Sequence, residues 1–90
     1  MRFDKYTTTS EETINYIITA WDNDEYCYNI VQAICQCSDF AEQNKIFASN
    51  YKKLKDCVTN SFSWLEVDEQ AMVDAIDEYI LRNKEEKNIF

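Results

Sequence analysis

The chain contains no histidine, no glycine and no proline, and these absences exclude several classes of protein. Without glycine, neither a P-loop nor a dinucleotide-binding G-x-G-x-x-G turn can form, because both need backbone conformations that only glycine tolerates. Without histidine there is no Ser-His-Asp or Cys-His catalysis and no imidazole ligand for a metal. The Glu-x-x-His pattern of di-iron bundles is excluded for the same reason.

Long apolar runs are also missing, since none exceeds three residues, and the sequence therefore predicts no membrane span. The first six residues lack the apolar core of a signal peptide, so we expect a cytoplasmic protein. In that reducing compartment Cys27, Cys35, Cys37 and Cys57 are expected to stay free thiols. Their spacing, C-x7-C-x-C-x19-C, differs from the paired cysteines of zinc ribbons and predicts no metal site and no cofactor.

What the chain does contain is enough for one small domain. Its 90 residues are 46% hydrophobic, so it is not a disordered acidic tail, and we expect a single helical domain spanning residues 1–90. A core of this size gains little net free energy once the chain entropy is subtracted. A homodimer is therefore a possible further source of stability, although nothing in the sequence requires one.

Apolar residues recur at i, i+3, i+4 and i+7 in four segments, which is the period that buries one face of a helix. In the third segment the apolar residues stay on one face only if the helix is unbroken, which argues against a break at residues 49–50. The sequence thus predicts an all-α fold. We expect a single compact bundle of about four helices, spanning roughly residues 10–21, 24–37, 40–60 and 64–87.

Polar residues ahead of the apolar stripes indicate where two of the helices begin. Thr9 and Glu12 fit a T-x-x-E capping box at the start of the first helix. Ser63 fits the N-cap of the fourth helix, again with a glutamate three residues later. Asp68 is a rival cap, and its use would leave residues 64–67 as a short extended lead-in.

Acidic residues outnumber basic residues by 17 to 9, and they are concentrated in two places. Residues 63–81 carry six acids and no base, and five of the six fall on the half of the predicted helix that faces away from the apolar stripe. A second acidic group lies between the first two helices. The candidate partner-binding residues are Asp22, Asp24, Glu25, Glu66, Glu69, Asp74, Asp77 and Glu78.

This acidic face has two interpretations. A solvated face would simply keep a small protein soluble. A binding face would present carboxylates about 5–6 Å apart on successive helical turns, comparable to the phosphates of a nucleic-acid strand, and could occupy a basic groove. Direct binding of nucleic acid is not expected, because the net charge of −8 repels phosphate.

The sequence does not predict an enzyme. Every acidic pair is expected on an outward face or in a turn, where general acid–base or metal chemistry is not favoured. The acidic turn at residues 22–25 lacks the glycine and the spaced glutamate of an EF-hand. Serines and threonines are plentiful, but their clearest roles are helix caps.

The chain resembles a class of inhibitors in its small size, its acidity, its predicted helices and the acids of residues 63–81 and 22–25. These are the anti-CRISPR and antirestriction proteins that phages and mobile elements encode against host defence. The resemblance implies a protein that docks on the basic nucleic-acid-binding site of a CRISPR–Cas or restriction complex in the host cytoplasm. The strongest DNA mimics are more acidic, and the basic residues within 39–62 dilute the field, so mimicry and steric occlusion both stay open.

Two other functions are also compatible with the sequence. A helical adaptor or oligomerisation protein would bind through Tyr16, Tyr26 and Tyr28, which lie at stripe edges as either rim or partner-contact residues. A sponge for signalling nucleotides would need an oligomer with cationic pockets. The candidates for such pockets are Lys52, Lys53, Lys55 and Arg82.

Overall fold

Helices make up most of the described chain, and no strand occurs in it. The computed structural model describes the backbone of residues 9–87 and the side chains of residues 9–83. The predicted all-α fold is confirmed, but residues 9–87 form five helices instead of the four predicted. They are α1 (Glu11–Asp22), α2 (Glu25–Gln36), α3 (Phe40–Ser49), α4 (Tyr51–Ser61) and α5 (Glu69–Lys87).

Among the described residues, none of the helices combines the length and the apolar character that a bilayer crossing would need. α1, α2 and α3 each begin after a polar residue whose side chain accepts a hydrogen bond from a backbone amide of the first turn. α1 is capped by Ser10, whose hydroxyl accepts a hydrogen bond from the Thr13 amide at 3.2 Å, so the predicted Thr9 cap is wrong by one residue. Asp24 caps α2 and Asp39 caps α3 through the same kind of side-chain acceptor.

The predicted unbroken third helix is wrong, because the chain leaves helical geometry at Asn50, where φ is −116° and ψ is 12°. The Asn50 side-chain amide donates to the Ile46 carbonyl at 2.9 Å, so it competes with the backbone bonds that would continue the helix. The rings of Phe47 and Tyr51 then pack edge to face across the junction, 5.7 Å apart. The break lets α3 pack against α2 while α4 packs against α1.

The fourth predicted helix starts later than expected, at Glu69, and the Ser63 cap is wrong. The rival cap is the one used, since the Ala71 amide donates to the Asp68 carboxylate at 2.8 Å. Residues 62–68 form a non-helical lead-in that places Val67 in the core. Burying that side chain favours the lead-in over an extra helical turn.

The core forms around α1, which packs against α2, α4 and α5. Trp21 is fully buried, and its indole N–H donates to the Leu54 carbonyl of α4 at 3.1 Å. α5 packs against α1. Ala71, in the first turn of α5, lines a groove together with Thr13, and the Tyr79 hydroxyl about two turns later donates a hydrogen bond to Asp22. The largest fully buried side chains are Trp21, Ile17, Ile34, Leu54, Met72, Ile76, Val31, Val58 and Cys27.

One buried polar side chain, that of Gln43, holds the end of α2. Its amide nitrogen donates to the carbonyls of Ile34 at 3.1 Å and Cys37 at 2.8 Å. We expect Gln43→Glu to lower the free energy of unfolding by about 3 kcal/mol at pH 7, because a carboxylate cannot donate to those carbonyls. Urea denaturation measures the loss. The exposed Gln36→Glu is the control, and an equal loss in both variants would contradict this role for Gln43.

Candidate functional site

The acidic face predicted for the last helix is only partly exposed. Asp74 is buried, with 6% of its surface exposed, and it accepts a hydrogen bond from the Gln70 side chain at 2.9 Å. Asp77 is half-buried, and its Oδ1 has no hydrogen-bond partner. The expectation that these two carboxylates face outward is therefore wrong. The reason is that α5 packs against both α1 and α2, so its buried arc is wider than one apolar stripe.

The half-buried position of Asp77 has an electrostatic consequence. Burial, together with the nearby carboxylate of Asp74, raises the pKa of the Asp77 carboxyl from 3.8 to about 7. A raised carboxyl pKa can mark a catalytic acid. Two open grooves lined by described residues, of about 580 Å³ and 360 Å³, do not include Asp74 or Asp77 in their linings.

The other predicted residues of this region differ in their surroundings. Glu78 is partly exposed and pairs with Arg82 at 3.0 Å, and Arg82 also donates to the Asn15 side chain at 2.6 Å. Glu69 is exposed in the first turn of α5. Glu66 is exposed too, but it lies in the lead-in and not on the helix. Of the predicted carboxylates of this region, Glu66 and Glu69 are exposed and Glu78 is partly exposed, whereas Asp74 and Asp77 turn inward.

Exposed carboxylates and aromatic rings come together where the lead-in meets the first turns of α1. An open groove of about 580 Å³ separates Ser10 and Thr13 from Glu66 and Asp68. Glu12 is exposed one helical turn before Tyr16 on α1. We name this region the acidic-aromatic surface, and it consists of Glu12, Tyr16, Trp64, Glu66, Asp68 and Glu69.

The aromatic part of this surface is a cluster of three rings. Tyr16 lies 5.0 Å from both Phe62 and Trp64, measured between ring centroids, and it packs against Trp64 edge to face. Trp64 is nevertheless 63% exposed. Tryptophan is enriched at the centres of protein interfaces, so this exposed ring is a candidate contact residue. Trp64 was not predicted as a contact residue, because the sequence pattern placed it at the start of the fourth helix, whereas it lies in the non-helical lead-in.

The second predicted acidic group lies at the other end of α1. α1 has 12 residues, so its ends are about 18 Å apart. Asp22 accepts a hydrogen bond from the Tyr79 hydroxyl at 2.7 Å, and burial together with this bond raises the pKa of that hydroxyl. Asp24 caps α2, and Glu25 is exposed in its first turn. The structure thus does not join the two predicted acidic groups into one surface.

Three basic side chains of the described residues, those of Lys52, Lys53 and Arg82, have partners outside the acidic-aromatic surface. Lys52 pairs with Asp56 at 2.9 Å on the exposed side of α4. Lys53 lies over the ring of Tyr26, with its ammonium 4.9 Å from the ring centroid. Within the described residues, neither observed ion pair uses a carboxylate of the acidic-aromatic surface. Tyr26 and Tyr28 are exposed on α2, away from the ring cluster of Tyr16.

Two cysteines and an aspartate come together where α1, α2 and α4 meet. Ligand atoms of Asp24, Cys27 and Cys57 all lie within 4.8 Å of one another. The Cys27 thiol donates to the Lys53 carbonyl at 3.8 Å, and the Cys57 thiol donates to the Ala20 carbonyl at 3.3 Å. Burial raises the pKa of both thiols, that of Cys27 to about 12. All four cysteines lie in the described part of the chain and none is in a disulfide.

Comparison with protein-family models, with curated proteins and with solved structures finds no match to this chain.

Proposed function

We propose that the chain is a non-catalytic inhibitor that binds a basic protein surface through its acidic-aromatic surface. The observation that carries the proposal is the exposed Trp64 ring on the same lead-in as the exposed Glu66 and Asp68, with the exposed Glu69 directly after them. The partner class that fits is the basic nucleic-acid-binding site of a defence effector, either a CRISPR–Cas complex or a restriction enzyme. The overall charge of −8 supports the attraction of such a partner and disfavours nucleic acid itself.

The arrangement of the carboxylates favours occlusion of a site over mimicry of a nucleic-acid strand. Mimicry along one helix needs acids on several successive turns. The carboxylates of Asp74 and Asp77 turn toward the interior, and Glu78 is paired with Arg82. The exposed acids around the lead-in form a local patch, which covers a basic surface without following a phosphate backbone.

A second candidate function is an aromatic adaptor, and the exposure of Trp64 favours it. The ring cluster of Tyr16, Phe62 and Trp64 could bury apolar area against a partner or against a second copy of this chain. The two functions differ in their response to salt, because burial of rings is insensitive to screening and contact between charges is weakened by it.

The test uses purified CRISPR effector complexes and restriction enzymes, each assayed for cleavage of its target DNA with the chain in excess. We expect inhibition of at least one of them. Glu66→Lys with Glu69→Lys should raise the half-inhibitory concentration at least about tenfold, because like charges then face each other across the interface.

The matched control is Glu42→Lys with Asp56→Lys, which gives the same net charge from exposed positions on α3 and α4. This control should change the half-inhibitory concentration by less than about threefold. Failure to inhibit any of the effectors, or an equal loss of inhibition in both double variants, would contradict the proposal.

A further inference from the structure

We infer that Asp24, Cys27 and Cys57 form a binding site for a thiophilic divalent cation, with Zn²⁺ as the natural occupant. The two sulfurs and one carboxylate are a ligand set that zinc uses. Cys27 comes from the first turn of α2 and Cys57 from the last turns of α4, so the fold brings together residues that are distant in sequence. The spacing patterns of zinc ribbons therefore do not reveal this set.

The distances between the three ligand atoms fit a metal ion after a small movement of the side chains toward one another. In a tetrahedral zinc site with Zn–S bonds of about 2.3 Å, two sulfurs stand about 3.8 Å apart. The three ligand atoms lie within 4.8 Å of one another, so the side chains need to move by about 1 Å or less. Asp24 is the most exposed member of the set, and its side of the site gives the cation a path from solvent.

The hydrogen bonds and charges around the three ligands also suit a metal ion. The Asp24 carboxylate accepts a hydrogen bond from the Cys27 amide at 3.0 Å through Oδ1, which fixes its direction and leaves the other oxygen for the cation. Zn²⁺ with two thiolates and one carboxylate carries a net charge of −1. The Lys53 ammonium acts electrostatically on both cysteines and offsets that charge. Each thiol releases its proton to solvent when its sulfur bonds to the metal.

The set provides three protein ligands and leaves one tetrahedral position. Structural zinc sites normally close that position with a fourth side chain, whereas a site with three protein ligands holds a water or another small ligand there. Occupation would join the start of α2 to the end of α4. It would therefore stabilise the folded chain in proportion to the metal concentration.

The experiment titrates the fully reduced full-length chain with Cd²⁺ and follows the ultraviolet charge-transfer band between thiolate and cadmium. We expect saturation at one ion per chain and a higher melting temperature with Zn²⁺. Cys57→Ser should abolish the band, while Cys35→Ser with Cys37→Ser, which removes the other two thiols, should keep it. Asp24→Asn retains a good helix cap, so its circular dichroism should be unchanged while Cd²⁺ binding weakens at least about tenfold.

Three outcomes would overturn the inference. The first is the absence of a charge-transfer band in the wild-type chain. The second is a band that depends on Cys35 or Cys37 and survives in Cys57→Ser. The third is an Asp24→Asn chain that folds normally and binds Cd²⁺ as tightly as the wild type, which would remove the carboxylate from the site.

Discussion

Replacement of Trp21 by alanine is expected to remove most of the stability of the fold. Trp21 is fully buried at the end of α1, and truncation of a buried tryptophan costs about 3–5 kcal/mol. Loss of the indole hydrogen bond to the Leu54 carbonyl adds about 1 kcal/mol. Small domains have free energies of unfolding of about 5–15 kcal/mol in total, so the variant should unfold at a much lower urea concentration or fail to fold.

The chain offers a matched control for this variant, since its second tryptophan, Trp64, is 63% exposed. Trp64→Ala loses only the ring contacts with Tyr16 and Phe62, which we expect to cost about 1 kcal/mol. Trp21→Phe keeps most of the buried ring but removes the indole N–H donor. Its loss of free energy of unfolding should therefore fall between those of Trp21→Ala and Trp64→Ala. Equal urea midpoints for Trp21→Ala and Trp64→Ala would contradict the position of Trp21 in the core.

Asp77→Asn is expected to stabilise the protein above neutral pH. The carboxyl of Asp77 has a pKa of about 7 in the folded chain and about 3.8 in the unfolded chain. Its contribution to stability is therefore fully present below about pH 4 and is lost as pH rises through 7. A fully buried group with this shift would cost about 4 kcal/mol at pH 8, and for a half-buried carboxyl we expect about 1–2 kcal/mol.

Thermal unfolding between pH 5 and pH 8 measures this effect. For a domain of this size, the expected change corresponds to a melting temperature higher by about 5–15 °C in Asp77→Asn at pH 8. The difference should shrink toward pH 5, where the wild-type carboxyl is protonated in the folded state. The matched control is Glu69→Gln, on the exposed first turn of the same helix, and it should not show this rise in melting temperature at pH 8. Parallel profiles for the wild type and Asp77→Asn would show that Asp77 does not titrate as stated.

Local patterns in the sequence were sufficient to predict the all-α fold and the first two helices, but not the extent of the later ones. The apolar period located α1 and α2 to within one residue at each end. Continuity of the apolar face over residues 40–60 predicted one helix, but the Asn50 side chain, which bonds to the backbone, ends α3. The geometry of a single helix cannot predict this break, because the directions of α3 and α4 depend on how they pack against α2 and α1.

The candidate site was predicted less well than the fold. Glu66 and Glu69 were identified and are exposed, whereas Asp74 and Asp77 were assigned to the outside by assuming that α5 buries one face. That assumption fails when a helix packs against two neighbours, which is a property of the tertiary structure. The proximity of Cys27 to Cys57 depends in the same way on how α2 packs against α4, so the spacing of cysteines along the sequence does not predict it.

The central claim is that carboxylates around Trp64 bind a basic partner, and the salt dependence of the complex with the inhibited effector tests it. We expect the dissociation constant of the wild-type chain to rise at least about tenfold between about 0.05 M and 0.5 M salt, because screening weakens contact between charges. The double variant Glu66→Lys with Glu69→Lys should bind the effector more weakly, and its dissociation constant should change less with salt. A dissociation constant that does not change with salt, and that only Trp64→Ala raises, would contradict the claim and identify an aromatic adaptor instead.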